Sequence, residues 1–394
     1  MQPPRRVLWS LYFCCFASLV SMRLCDSMLP FLSSGLGIDS KQSALAISMF
    51  ALGYGLMQIF FGPAGDRYGK LRVIAVATLA GTIGNVGAAL SLSAGQLVAA
   101  RILSGAAVAG IVPLTMAWIG DQVSYGRRQE VLAKLLGATV FGTIVGQWAG
   151  GAIPAVGNWR STFLLMAAIF LVAGTITALQ STKKFVESGK AQGSFFDNVR
   201  TVLALPWARL VLLITLIEGA LVYSALAFIP THLHSAFGLP MYQTGLIVGL
   251  YGLGGLAYSR VAGVLLRHMS ELQFPILGGL LLMSALLTLG LSRHWAFALP
   301  ACFLGGFGFY ALHNTLQLNA TQMAPACRGT AVSLFSCFLF FGQTIGISVA
   351  AVVIQVFSTD AFFVCAGIGL LATAGVFSTL LHRKETCPVS SVDV

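Results

Sequence analysis

Residues 62–72 read GPAGDRYGKLR and follow directly on a long apolar run. An acid–base pair, Asp66-Arg67, stands between glycines and is followed by further basic residues. Another apolar run, near 72–93, begins at once. Because basic residues concentrated in short segments between long apolar runs are typical of membrane proteins, this stretch predicts a chain whose solvent is lipid.

The composition of the whole chain agrees with that prediction. Hydrophobic residues make up 57% of the 394 positions and charged residues only 9%, whereas soluble domains carry roughly 25% charge. The net charge of +11 does not indicate a nucleic-acid binder, because the basic residues lie in short segments between apolar runs. The eight cysteines form no CxxC pair, so we expect no disulfide framework, no metal site and no cofactor.

Twelve apolar runs of about 20 residues, long enough for membrane helices, recur along the chain, and we call them spans 1 to 12. Runs of this length exclude the short alternating strands of a barrel. The predicted fold is therefore an all-α integral membrane protein. The runs lie near 8–32, 42–64, 72–93, 96–119, 131–155, 160–180, 208–231, 243–266, 272–292, 295–318, 331–355 and 360–381.

The distribution of basic residues among the loops predicts the orientation. If both ends lie in the cytoplasm, the cytoplasmic segments hold most of the lysines and arginines, and the outer loops hold only Lys41, Arg160 and Arg293. Cytoplasmic loops of membrane proteins carry this excess. We therefore expect both termini in the cytoplasm and place the protein in a bacterial inner membrane.

The two halves of the chain repeat. The pattern predicts a bundle over residues 1–180, a polar cytoplasmic linker over 181–206 and a second bundle over 207–394. Two equivalent six-helix bundles in the same orientation predict a pseudo-two-fold axis along the membrane normal, with a site between them. The repeated residues include Gly142 with Gly342, Gly146 with Gly346, Gln122 with Gln322, Arg128 with Arg328 and Pro30 with Pro230.

The loop after span 2 resembles the signature loop of the major facilitator superfamily. This resemblance implies a fold of twelve helices and transport by alternating access. The resemblance implies a cytoplasmic gate built around this loop. Asp66 can cap a neighbouring helix, and Arg67 is expected to meet an acid at the inner end of span 4. The alternative is that these charges only orient the loop. The gate residues are Gly62, Asp66, Arg67, Gly69, Lys70, Arg72 and Asp121.

Span 5 is similar to the glycine-rich helix of the drug/proton antiporters within that superfamily. Small residues every four positions form one face and allow a partner helix to approach closely. Gln147 stands where those antiporters usually have proline, which makes the inference of export weaker than the inference of close packing. The face consists of Gly142, Gly146, Gln147, Gly150 and Gly151.

Four charged residues fall inside the spans: Arg23, Asp26, Arg101 and Glu218. Intramembrane charges are functional by default and need partners. Arg23 and Arg101 are the expected partners of Asp26, because one is three residues away and the other lies at the same depth. The carboxylates Asp26 and Glu218 are the candidates for proton coupling. Glu218 is favoured, since Asp26 between two arginines can be a structural counter-ion.

A substrate cavity between the halves is expected to use aromatic and polar side chains near mid-membrane. Each of these residues can instead serve packing or interhelical hydrogen bonding. The candidates are Tyr54, Tyr223, Tyr251, Tyr310, His313 and Asn314.

The sequence thus predicts a secondary transporter, monomeric and embedded in lipid, that exports small amphipathic or cationic compounds in exchange for protons. The alternative is a symporter that imports a metabolite with protons, and a non-transporting receptor is a further one. No catalytic residues are assigned, because the chain has no HExxH, GxSxG or phosphate-loop motif.

Overall fold

The computed structural model describes residues 4–181 and 195–386, and it contains helices but no strands over these ranges. Span 1 is Arg5–Arg23 continued by Leu29–Leu36. Spans 2 to 6 are Ser40–Tyr68, Lys70–Ala89, Ala94–Val108 continued by Ile111–Gln122, Tyr125–Val156 and Trp159–Gln180. Spans 7 to 12 are Pro206–Phe237, Met241–Leu265, Gln273–Leu291, Ala298–Gln322, Arg328–Val356 and Thr359–Thr386.

Eleven helices of the described ranges are long and apolar enough to cross a membrane, by length and composition alone. They are spans 2 to 12. Span 1 is not among them, because its helix is interrupted after Arg23 and carries arginines at both ends. Residues 182–194 of the predicted linker lie outside the described ranges, and the rest of it contains a short helix, Phe195–Ala204.

Within the described ranges two spans are broken, and the apolar pattern predicts neither break. Span 1 loses its helix over residues 24–28 and resumes with Pro30 in the first turn of its second piece. Proline suits a helix start but restricts the residue before it. Span 4 is interrupted at Ala109 and Gly110. The first break places Asp26, at its centre, away from the regular helix.

The predicted repeat is visible in matching backbone contacts. Glycines of span 5 face carbonyl oxygens of span 1, and glycines of span 11 face carbonyl oxygens of span 7 in the same pattern. The pairs are Gly142 with Phe16 and Gly342 with Leu216, then Gly146 with Val20 and Gly346 with Ala220. Corresponding residues are 200 positions apart, so the two six-helix bundles pack alike around a pseudo-two-fold axis.

The two halves meet through span 2 against span 11 and span 5 against span 8. The Thr344 hydroxyl donates to the Ser48 carbonyl at 3.1 Å, and a Cβ on Gly55 would lie 2.9 Å from Phe340. Gly249 and Gly252 of span 8 likewise lie against side chains of span 5. These contacts extend from the middle of spans 2 and 8 towards the side of the bundle away from both chain termini, which we call the far side.

The opposite side, where span 1 begins at Arg5, we call the termini side. Residues 56–64 of span 2 and 259–265 of span 8 include no fully buried residue, whereas residues 43–55 of span 2 are mostly buried. The interface between the halves is therefore packed towards the far side and open towards the termini side.

Candidate functional site

Asp26 lies fully buried at the break in span 1. Its Oδ2 accepts a hydrogen bond from the Gln147 side-chain amide at 2.8 Å. The Arg23 guanidinium is 3.5 Å from the same oxygen, which is long for a charge-assisted hydrogen bond. The Oδ1 atom has no hydrogen-bond partner among the described residues. The carboxyl group is thus incompletely paired in this structure.

Arg101 is also fully buried, but its hydrogen bonds go elsewhere. Its Nε donates to the Ala46 carbonyl at 2.9 Å and its Nη2 to the Ser21 carbonyl at 3.1 Å. The guanidinium lies 4.2 Å from the centre of the Phe50 ring. Arg101 therefore ties spans 1, 2 and 4 together, and of the two expected partners only Arg23 reaches Asp26 directly.

Glu218 is fully buried in span 7 and pairs with a residue of span 10. The distance from Glu218 Oε2 to His313 Nδ1 is 3.0 Å, and Glu218 Oε1 has no hydrogen-bond partner among the described residues. The histidine ring stacks on Phe309 with its centre 4.9 Å away. The sequence indicates both residues as candidates but does not connect them, since they are 95 positions apart.

A cluster of five rings lies between these two carboxyl groups and includes residues of both halves. Tyr54 of span 2 packs on Phe340 of span 11 at 4.6 Å between ring centres. The ring centre of Tyr223 lies 6.4 Å from that of Phe340 and 5.8 Å from that of Phe309. The ring centre of Tyr251 lies 5.9 Å from that of Phe309. We call these five residues the aromatic cluster.

Arg23 connects the cluster to Asp26. Its guanidinium carbon stands 4.7 Å from the centre of the Tyr223 ring, a cation–π distance. Arg23 belongs to the first half and Tyr223 to the second, so this contact crosses the interface. The two residues are 200 positions apart, which makes them equivalent in the repeat and places their contact near the pseudo-two-fold axis.

The structure brings most of the predicted cavity residues to this region. Tyr54, Tyr223 and Tyr251 belong to the aromatic cluster, Tyr310 packs on Phe309 at 5.4 Å, and His313 pairs with Glu218. Asn314 differs, because its side chain lies beside Tyr258 within the second half. The sequence analysis does not name Phe309 or Phe340. Phe309 stands one helical turn before His313 on span 10, whereas span 11 contains no tyrosine or histidine that would single out Phe340.

At the termini side, the predicted gate is arranged differently from the expectation. Lys70 bridges two acids, with its Nζ 3.0 Å from Asp66 and 2.8 Å from Asp121. Arg67 is exposed and stands 5.2 Å from the ring centre of its neighbour Tyr68. The predicted contact between Arg67 and Asp121 is therefore wrong. Gly69, at a positive φ of 89°, turns the chain between spans 2 and 3 so that Lys70 reaches both acids.

The remaining gate glycine, Gly62, is exposed and has open space around it. In contrast, Gly65 lies against Leu114 of span 4, and a Cβ there would come within 2.5 Å of it. Of the predicted gate, Asp66, Lys70 and Asp121 thus come together, whereas Gly62, Arg67 and Arg72 take no part in the bridge.

The glycine face of span 5 contacts two partners. A Cβ on Gly142 would lie 2.6 Å from the Phe16 carbonyl oxygen, and one on Gly146 would lie 2.7 Å from that of Val20. Gly150 is closer still to the Leu24 carbonyl. Gly151 faces the other half, where a Cβ would lie 2.5 Å from the Met241 backbone. This face therefore holds span 1 and its buried Asp26 against span 5.

Comparison with known proteins gives one family and several relatives. Residues 11–336 match the Major Facilitator Superfamily model. The chain is 28% identical to the multi-drug resistance efflux pump PmrA of Streptococcus pneumoniae, over 96% of this chain and 97% of that protein. It is 24% identical to the multidrug efflux protein YfmO of Bacillus subtilis, over 98% and 95% respectively.

Solved structures share the fold at low sequence identity. A mutant of the nucleoside transporter NupG superposes with a TM-score of 0.82 at 13% identity, covering 95% of this chain and 99% of that one. A bacterial homologue of the lysosomal transporter Spinster, in an inward-facing and unoccupied conformation, gives 0.75 at 16%, covering 97% of each. With twelve spans in two repeated bundles and a family match over most of its length, the chain belongs to the Major Facilitator Superfamily.

Proposed function

We propose that this superfamily transporter is a proton-coupled exporter of small amphipathic or cationic compounds, acting as a monomer by alternating access between its two halves. As a superfamily member it is a carrier and not an enzyme. The proposal rests on one observation above all. Each half holds a fully buried carboxyl group, Asp26 or Glu218, with one unpartnered oxygen and with a connection to the aromatic cluster.

This arrangement suits the exchange of a proton for a cation. A buried carboxylate without full neutralisation is costly, which favours a bound proton until a cation supplies the missing charge. An incoming cation makes the ionised form favourable again and releases the proton. The aromatic rings provide faces that attract organic cations and apolar surface for the remainder of the molecule.

We propose a role for Asp26 beside that of Glu218, which the sequence analysis favours. Arg101 is bound to Ser21 and Ala46, and Arg23 divides its contacts between Asp26 and Tyr223. Asp26 is thus less neutralised than a carboxylate between two arginines would be. Glu218 in turn has His313 beside it. We therefore assign a transported proton to each of the two carboxyl groups.

The direction of export is supported by the relatives, and a conformation with the termini side open is one that an exporter passes through. We place both termini in the cytoplasm of a bacterial inner membrane, because the loops on the termini side hold most of the lysines and arginines. The interface then opens to the cytoplasm, where an exporter collects its substrate. The two relatives named above as efflux pumps are similar to this chain over nearly its whole length.

Everted membrane vesicles test this proposal. Vesicles loaded with acidic buffer and diluted into alkaline buffer should accumulate tetraphenylphosphonium when they contain the wild-type protein. The accumulation should collapse when nigericin dissipates the pH gradient, and it should be absent with Asp26→Asn combined with Glu218→Gln. Uptake driven only by the reversed gradient would instead indicate proton symport and contradict the proposal.

A further inference from the structure

The cation–π contact between Arg23 and Tyr223 links the interface between the halves to Asp26. It joins the two halves near the pseudo-two-fold axis, and it lies within reach of a buried carboxyl group. Arg23 is 5% exposed, so its guanidinium is almost fully removed from water. A buried cation needs partners. The guanidinium of Arg23 lies 3.5 Å from Asp26, which is long for an ion pair, and 4.7 Å from the centre of the Tyr223 ring.

The ring of Tyr223 is also a part of the aromatic cluster that a cation from outside can contact. Tyr223 is only partly buried and contacts both Phe309 and Phe340. A positive charge over an aromatic face is attracted to it, and the attraction is strongest when the site is desolvated. Arg23 and a second cation cannot both bind to the same face of this ring, because two positive charges so close together repel each other.

We propose that Arg23 occupies, on the Tyr223 ring, the place that a lipophilic substrate cation takes, and that the substrate expels a proton from Asp26 by displacing Arg23 towards it. This inference rests on the proposed function and names the substrate subsite and the residue that links it to the proton. Arg23 is here a positioning residue, since it acts on the carboxyl group through its own movement.

The exchange balances in atoms and charge. A cation enters and lies on the ring of Tyr223, and the guanidinium of Arg23 moves from the ring onto the Asp26 carboxyl group. The O–H bond of the protonated carboxyl breaks, and its proton leaves to water on the open termini side. Arg23 keeps its charge throughout, so one positive charge enters and one leaves. A shorter guanidinium–carboxylate contact stabilises the ionised acid.

Other charged and titratable groups lie near this pair. Arg101 acts on Asp26 electrostatically, but its hydrogen bonds are to Ser21 and Ala46. Cys25 lies next to Asp26 along the chain. On the other side, Glu218 and Tyr310 lie within electrostatic reach of Tyr223, and Glu218 is bound to His313. Arg23 is the group with contacts to both Asp26 and Tyr223, so it connects the ring to the carboxyl group.

The test uses purified full-length protein and radiolabelled tetraphenylphosphonium. Arg23→Gln should bind this cation about tenfold more tightly than wild type, because no internal cation competes for the ring. It should also release fewer protons per bound cation. Arg23→Lys, which keeps the charge, should remain close to wild type. Tetraphenylborate, of the same shape and opposite charge, should not displace the bound cation.

Variants of Tyr223 separate competition for the ring from a general charge effect. Tyr223→Phe keeps the ring face and should bind as wild type does. Tyr223→Leu should weaken binding about tenfold, and in this background Arg23→Gln should no longer tighten it. An unchanged gain from Arg23→Gln in Tyr223→Leu would overturn the inference.

The inference and the proposed function fail in different ways. If wild type binds the cation and releases protons, but Arg23→Gln does so with the same affinity and stoichiometry, Arg23 has no such role and the proposed function stands. If wild type neither binds the cation nor releases protons on its addition, both are overturned.

Discussion

Gln147 illustrates, at the scale of single residues, what the sequence could and could not show. Its position in the glycine-rich span 5 marked it as a departure from the proline of the drug/proton antiporters. The structure shows that its amide donates to Asp26 at 2.8 Å and that its oxygen accepts from Ser27 at 3.2 Å. Sequence reasoning could not find this pairing, because the amide and the carboxyl group are 121 positions apart.

Replacing this amide should affect the buried acid directly. Gln147→Leu removes the better hydrogen bond to Asp26 and is expected to lower the free energy of unfolding by about 1–3 kcal/mol. It should also change the pH dependence of transport, since the surroundings of Asp26 change. Ser27→Ala, which removes only the contact to the amide oxygen, is the control with a smaller effect. A Gln147→Leu protein with wild-type stability and pH profile would contradict this account.

The gate on the termini side gives a second prediction for single residues. Lys70→Met removes both ion pairs of Lys70 and leaves Asp66 and Asp121 side by side without a cation. Transport by this variant should fall several-fold at normal expression, and Arg67→Ala should have a weaker effect. The control is Lys134→Met, which breaks an exposed pair with Glu130 and should change little. Equal transport by Lys70→Met and Lys134→Met would show that the bridge plays no part in the cycle.

At the scale of elements, the glycine face of span 5 determines how closely span 1 can approach. The sequence predicted this close approach from the spacing of small residues alone. It could not predict which helix approaches, or that Gly151 at the end of the same face meets the other half. These two assignments depend on the tertiary arrangement, and the spacing of glycines carries no information about it.

Leucine substitutions along span 5 test this packing. Gly146→Leu places a Cβ atom 2.7 Å from the Val20 carbonyl oxygen, which is closer than real Cβ atoms come to such an atom. Span 1 must then move, and Asp26 with it, so transport should be abolished. Gly137→Leu is the matched control on the same helix, because Gly137 is exposed and has open space around it. Full activity of Gly146→Leu would mean that the close approach is not needed.

The hydropathy pattern does not predict the break in span 1. The run near 8–32 is apolar on both sides of Asp26, so a continuous helix was the simplest prediction. Pro30 was visible, but its effect on the preceding residues is a tendency and not a certainty. The break matters because Asp26 lies within it, where the backbone leaves the helix and the carboxyl group points to span 5.

At the scale of the whole molecule, the repeat was readable from the sequence because the same small residues recur 200 positions apart in equivalent contacts. Twelve apolar runs and this repeat were sufficient to predict two six-helix bundles. The pairing of Glu218 with His313 and of Arg23 with Tyr223 was not predictable, because each joins distant helices. The gate was partly misassigned, since Arg67 and Lys70 are both cations in one turn of chain and sequence alone cannot choose between them.

The account as a whole depends on the coupling of substrate binding to loss of protons from two buried carboxyl groups. The most direct measurement is proton release by the purified protein in weakly buffered detergent after addition of tetraphenylphosphonium. Wild type should release protons, Asp26→Asn and Glu218→Gln should each release fewer, and the double variant should release none. Proton release by the double variant equal to that of wild type would contradict the account.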